Sequence, residues 1–202
     1  MSALMEAPGA SPASGDVSRL GMWLFLASEV LFFGVLLFVY AIARHHAPQG
    51  FAAASARTDV WLGTLNTALL LSSSAAVALA AEASACGRPI DTRRGLWIAA
   101  ALGLAFLAIK GAEYRKEWVE HLVPGSGFAL REVPGAELFF AWYFFATALH
   151  ALHLIIGIVL CSGFARRVSP TPNEIHALAL YWHFVDVVWI LLYPLIYLVS
   201  PR

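Results

Sequence analysis

The sequence predicts an all-α integral membrane protein, a bundle of five transmembrane helices, and three observations carry that reading. The 202 residues are 60% hydrophobic and only 13% charged, whereas soluble domains are about half apolar and a quarter charged. Apolar runs of about the twenty residues that a bilayer core requires recur along the chain. Between them, arginine, histidine, proline and glycine collect in short segments that need water and form turns. So little chain lies outside the runs that a single integral domain is the economical organisation.

Residues 1–18 are rich in Ala, Ser, Pro and Gly and contain no Lys or Arg. They read as a disordered tail and lack the cationic start of a secretory signal, so the apolar run that follows is a genuine span. Residues 19–202 then form the transmembrane domain. The first span covers residues 20–43 and stops at Arg44, His45, His46 and Pro48, where charge and proline end a helix. The second covers 61–81. The third covers 95–112, between Arg93-Arg94 and the charged run Glu113 to Trp118. Residues 119–134 read as a loop, with Pro-Gly-Ser-Gly at 124–127 and Pro134-Gly135 as turn chemistry. The fourth span covers 138–164 and closes at Arg166-Arg167 and the Pro170 to Pro172 turn; the fifth covers 178–199.

Thirteen Lys and Arg balance thirteen Asp and Glu. The zero formal charge argues against a nucleic-acid partner, which requires a clustered basic surface. Cys86 and Cys161 form no C-x-x-C pair, so disulfide, zinc-site and covalent-haem readings fall away. An odd number of spans puts the termini on opposite sides. Total cations tie between the two sides, but Arg93-Arg94 and Arg166-Arg167 sit in short loops at span ends, where charge orients a helix most strongly. A cytoplasmic N-terminus is expected.

Ionisable side chains inside spans are costly and need a partner or a purpose. Glu29 lies mid-span, with Phe25, Phe32 and Phe33 on its side of the helix. It reads either as an acid hydrogen-bonded to a neighbouring helix or as a group with a proton or lipid-headgroup role. His150 and His153 share a side of the fourth span with Gly157, which points to close helix packing. A histidine pair can bind metal, but no Glu-x-x-His motif of the di-iron bundles occurs in any span. Interhelical hydrogen bonding is the commoner use. In the fifth span Trp182, Asp186, Trp189 and Tyr193 recur at helical spacing with His183 nearby. That stripe reads as a helix-interface face, or alternatively as a His-Asp proton path. Asn66 and Ser73 offer further interhelical bonds, and the Ala- and Ser-rich second span allows close approach. Lys110 and Glu113 can pair at helical spacing where the third span meets the interface, and Lys110 can snorkel to headgroups. The expected partner-facing surface is the His150, His153, Gly157 side or the Trp182 to Tyr193 stripe.

Four segments together resemble subunit III of the haem-copper terminal oxidases. They are Arg19-Leu-Gly-Met-Trp-Leu-Phe-Leu-Ala-Ser-Glu-Val-Leu-Phe-Phe33, Ile109-Lys-Gly-Ala-Glu-Tyr114, Phe144-Phe-Ala-Thr-Ala-Leu-His-Ala-Leu-His-Leu-Ile-Ile-Gly157 and Tyr181-Trp-His-Phe-Val-Asp-Val-Val-Trp-Ile-Leu-Leu-Tyr193. The resemblance implies an integral, non-catalytic subunit that stabilises the catalytic one in an aerobic respiratory chain. Haem and copper are then expected in partner subunits and none in this chain, with bound phospholipid as an associated ligand. By the same resemblance Glu29 matches the family's buried acid, and His150, His153, His183 and Asp186 match positions in its other motifs. The family's long form has about two more helices before the one carrying Glu29, flanking a lipid-filled cleft; short forms occur among quinol oxidases and among accessory proteins of nitric oxide reductases. Cytochrome c oxidase in a bacterial inner membrane is the expected setting. Readings from other classes are a free-standing membrane di-iron enzyme and a small proton-conducting protein.

Overall fold

The computed structural model describes residues 12–167 and 170–199. Its elements are α1 (Pro12–His46), α2 (Pro48–Ser55), α3 (Val60–Ala85), α4 (Pro89–Val119), α5 (Ala136–Arg166) and α6 (Pro172–Tyr197). Five of the six, all but α2, are long and apolar enough to cross a membrane. The all-α bundle is therefore as the apolar runs predict, with helices that outrun them at both ends, except α6, which begins earlier than its run, at Pro172, and ends at Tyr197, two residues short of it. α1 already begins at Pro12, inside the segment expected to be a tail; residues 1–11 of that expectation lie outside the described residues.

The helix ends follow local chemistry. Asp59 caps α3 by accepting from the Trp61 and Leu62 amides, at 3.1 and 3.3 Å. α3 ends in a tight hairpin to α4, where Gly87 takes φ 68° and the Arg88 amide reaches back to the Ala83 carbonyl at 2.8 Å. This is the left-handed C-terminal turn that glycine adopts without Cβ strain. Thr171 and Glu174 form a reciprocal capping box at the start of α6, with Pro172 in its first turn. α6 runs on through Pro194 to Tyr197.

The connector after α1 differs from the sequence expectation. Pro48 starts the short helix α2, which buries Phe51 and Ala54 against the beginning of α5. Gly50 lets it approach so closely that a Cβ there would collide with the Pro134 carbonyl.

α3, α4, α5 and α6 form a closed ring in which each packs on the next and α6 packs back on α3. Small residues permit the closest of these approaches. A Cβ on Gly95 would lie 2.8 Å from the Ala80 Cβ and 2.9 Å from the Ala76 carbonyl, so α3 and α4 touch nearly backbone to backbone. Trp182 of α6 fills the ring's interior over Gly103 and Gly157. α1 lies outside the ring, against α5 and α6.

Candidate functional site

Among the described residues, three groups of polar side chains within the bundle stand out, each built by a different pair or trio of helices. The first joins α1 to α5. Glu29 Oε2 lies 3.2 Å from His153 Nε2, and His153 Nδ1 lies 2.9 Å from the Leu149 carbonyl. A carbonyl only accepts, so Nδ1 carries a hydrogen. The Glu29 contact then needs one further proton, on the carboxyl or on Nε2. The Phe33 ring sits 5.4 Å from the imidazole and shields the pair. Tyr181 of α6 donates to the His153 carbonyl at 2.8 Å, so α1, α5 and α6 meet here.

The second group is a ladder between α3 and α6. The indole of Trp182 donates to Ser73 at 3.1 Å, and that of Trp189 to Thr67 at 3.0 Å. His183 Nδ1 shares a hydrogen bond with Ser74 at 2.7 Å, and Tyr193 one with Thr64 at 2.8 Å. Hydroxyl residues on one helix thus satisfy aromatic donors on the other. Asp186 lies between these rungs, only 3% exposed, with no hydrogen bond to either carboxylate oxygen. Ser74 is near enough to act on it, but its short bond goes to His183. Asn66 and His150 are likewise buried without hydrogen-bond partners for their side-chain nitrogens. The His150 ring packs between Phe106 and Trp189, with centroids 5.6 and 5.2 Å away.

The third group was underrated by the sequence reading. Lys110, only 3% exposed, does not snorkel to headgroups. Its three ammonium hydrogens go inward, to Glu113 at 3.0 Å, Tyr143 at 2.7 Å and Tyr197 at 2.9 Å. Tyr197 in turn donates to Glu113 at 2.7 Å and Tyr143 to Glu117 at 2.6 Å. One cation and two carboxylates are therefore bound into a network joining α4, α5 and α6. Lys110 and Glu113 were visible as a pair; Tyr143, Tyr197 and Glu117 were not, because helical spacing cannot reveal partners on other helices.

His150, Trp182, His183, Asp186 and Trp189 thus sit at contacts between this chain's own helices. The surface expected to face another subunit is corrected accordingly: on the His150, His153, Gly157 side, His150 packs on Phe106, His153 meets Glu29 of α1 and Gly157 lies against Trp182, while Trp182, Trp189 and Tyr193 of the other stripe bond to α3. The histidines do not converge. His150 faces aromatic rings, His153 faces Glu29 and His183 faces Ser74, and no group of three His, Cys, Asp or Glu that could hold a metal occurs among the described residues.

Residues 11–200 match the family model described as cytochrome c oxidase subunit III. The chain belongs to the cytochrome c oxidase subunit III family. Among its curated relatives, "Cytochrome c oxidase subunit 3" of Thermostichus vulcanus is 32% identical over 197 residues, which cover 92% of this chain and 89% of that protein. The protein of the same name from Pylaiella littoralis is 33% identical and is matched over 65% of its length, with 89% of this chain covered. "Heme-copper oxidase subunit I+III" of Aeropyrum pernix is 30% identical over 93% of this chain, but only 23% of that longer protein is matched. The chain is thus a subunit III of a haem-copper oxidase, and the four motifs read from its sequence lie within the matched range. Several motif residues bond one helix to another here: Glu29 of α1 to His153 of α5, Trp182, His183 and Trp189 of α6 to α3, Lys110 of α4 to Tyr143 of α5 and Tyr197 of α6, and Glu113 of α4 to Tyr197.

Proposed function

We propose that this subunit III carries no redox centre of its own and acts by packing against the catalytic haem-copper subunit of a cytochrome c oxidase, which it stabilises while oxygen is reduced to water. The observation that supports this most directly is how the three intramembrane histidines are used. His150, His153 and His183 point to three different neighbourhoods, each closed by aromatic, carboxyl or hydroxyl side chains of this chain. A haem-copper centre needs imidazoles converging from several helices. The chemistry then belongs to partner subunits that hold haem and copper. The single-chain subunit I+III relative supports a position beside the catalytic subunit, and the names of the other relatives support cytochrome c as the electron donor. Glu29 serves on this reading to fasten α1 to the ring through His153. The setting is a bacterial inner membrane with the N-terminus cytoplasmic, in keeping with the arginines that cluster at the α3–α4 and α5–α6 ends.

The test is to tag this chain, isolate its complex in mild detergent, and compare that complex with one from cells lacking the chain. Haem and copper should remain with the catalytic subunit in both, with faster loss of oxidase activity during turnover when this chain is missing. About one haem or metal ion per chain in the separately purified protein would overturn the reading.

A further inference from the structure

The Lys110 network holds one ammonium and two buried acids, and its hydrogen bonds do not treat the acids alike. Both oxygens of Glu113 are answered, Oε2 by Lys110 at 3.0 Å and Oε1 by the Tyr197 hydroxyl at 2.7 Å. Glu117 accepts at Oε1 alone, from Tyr143 at 2.6 Å, and its Oε2 is buried without a hydrogen-bond partner. Lys110 cannot serve it, because its three ammonium hydrogens go to Glu113, Tyr143 and Tyr197. The next cations on α4 are turned outward: Arg115 is exposed, and Lys116 pairs at 3.3 Å with Asp59 at the start of α3. Of the charges that act on Glu117, only Lys110 attracts it, while Glu113 and Glu120 add like charge when ionised. Tyr143 of α5 and Tyr197 of α6 reach it as hydroxyls, and His121 beyond the helix end is exposed.

The loop after α4 keeps water from this end of the network. Its Leu122 amide returns to the Glu117 carbonyl at 2.9 Å, and both Leu122 and Phe128 are buried. The Phe128 ring stands 5.8 Å from Phe140, which stands 6.0 Å from Tyr143. Glu117 itself is only 3% exposed. One ammonium balances one carboxylate, so a second ionised acid here would be a buried charge with a single hydrogen bond. An acid so placed takes up a proton rather than remain charged. The hydrogen belongs on Oε2, since Oε1 already accepts from Tyr143.

We propose that Glu117 is a proton-binding site, holding a hydrogen on Oε2 at neutral pH while Lys110 and Glu113 form the charged pair, and that this proton keeps closed the joint where α4, α5 and α6 meet. Its release to solvent leaves a carboxylate at Glu117 and sets two negative charges on one ammonium, which loosens the joint. Infrared spectra of the full chain in dodecyl maltoside read the proton directly, through the carbonyl stretch of a protonated carboxyl. Glu117→Gln should remove one such band at neutral pH. Tyr143→Phe should move that band to higher frequency, because the carbonyl oxygen loses its hydrogen bond. Glu120→Gln, at an exposed position just past the helix end, should remove none. The proton should also appear in the pH dependence of unfolding. The folded chain keeps a hydrogen that an unfolded glutamate gives up above about pH 4.3, so the unfolded state binds fewer protons and stability falls as pH rises. From about pH 6 to 7 the unfolding equilibrium constant of the native chain should rise about tenfold relative to that of Glu117→Gln. Retention of every protonated-carboxyl band in folded Glu117→Gln, or a parallel pH dependence in the two chains, would each overturn the assignment. If Glu117→Gln does not fold, Tyr143→Phe decides: a spectrum in which no protonated-carboxyl band moves would overturn it as well.

Discussion

α1 and α6 both cross the membrane and both carry a mid-span acid, yet they are held in different ways. From Leu20 onward α1 buries only Leu26, Phe33 and Tyr40, each seven residues from the next, with Glu29 and Leu36 partly buried between them. That is the narrow seam of a helix laid along a groove. α6 buries twelve residues, including Trp182, Asp186, Trp189 and Tyr197. Lipid tails are as apolar as leucine, so apolarity alone cannot hold either helix in place; packing and interhelical hydrogen bonds must. α6 has the ladder to α3 and the Lys110 network. α1 has a few separated fastenings: Glu29 to His153, the Trp142 indole to the Leu36 carbonyl at 3.0 Å, and the Tyr40 hydroxyl to the Leu195 carbonyl at 2.6 Å. An interior strut and a peripheral helix should therefore respond unequally to similar mutations.

The largest effect is expected at Lys110. Lys110→Met removes the only cation from the network and leaves the buried Glu113 and Glu117 carboxyls without it. Removing one partner of a buried ion pair typically costs about 3–5 kcal/mol. Thermal unfolding of the purified chain in detergent should show a loss of that size, with partial recovery when Glu113→Gln is added. A melting curve unchanged by Lys110→Met would mean that the network does not hold α4, α5 and α6 together. A tryptophan pair tests the comparison next. Trp189→Ala empties space among Phe106, His150 and Thr67 and should cost about 3 kcal/mol. Trp23→Ala, on the outer side of α1 where that indole is 61% exposed, should change unfolding by less than about 0.5 kcal/mol.

The Glu29–His153 bond should have an intermediate value, measurable as a coupling. The single variants Glu29→Gln and His153→Gln and their double should give an interaction term of about 0.5–1.5 kcal/mol in a detergent unfolding cycle, the range of interhelical polar bonds in membranes. A coupling near zero would leave α1 fastened by its tyrosine, tryptophan and phenylalanine contacts alone.

These bonds also mark where sequence reading succeeds and where it stops. Composition and run length place the five spans because a bilayer imposes one strong constraint on every crossing segment. Glu29, His150, His153 and Asp186 stand out because each is expensive in its apolar surroundings. Their pairings were not legible: Glu29 and His153 are 124 residues apart, and only the packing of α1 on α5 brings them together. The rungs at Thr64, Thr67 and Ser74 gave no signal either, since a helical hydroxyl commonly bonds its own backbone one turn back, as Thr64 and Thr67 also do here. α2 was missed for a different reason. Its eight residues are too few for a periodic pattern, and it is placed by Phe51 and Gly50 meeting the start of α5.

The smallest effect is expected at Gly34, and it sharpens the contrast because glycine inside a helix usually signals either close packing or a defect. A Cβ built on Gly34 finds nothing within 4 Å, for the residue lies on the outer face of α1, one position past the buried Phe33. Alanine favours the helix over glycine, while the new methyl group meets no other helix to offset or add to that gain. Gly34→Ala should therefore alter unfolding by less than about 0.5 kcal/mol, and in the stabilising direction if at all. Even Gly34→Leu should leave the isolated chain folded, because the larger side chain projects away from α5 and α6. The same alanine change at Gly95 would drive a methyl group to 2.8 Å from the Ala80 Cβ and 2.9 Å from the Ala76 carbonyl, and α3 would have to part from α4. If Gly34→Ala destabilised the chain as much as Gly95→Ala, α1 would have to be packed on its outer side as well, and the single seam through Leu26, Phe33 and Tyr40 would no longer describe how it is held.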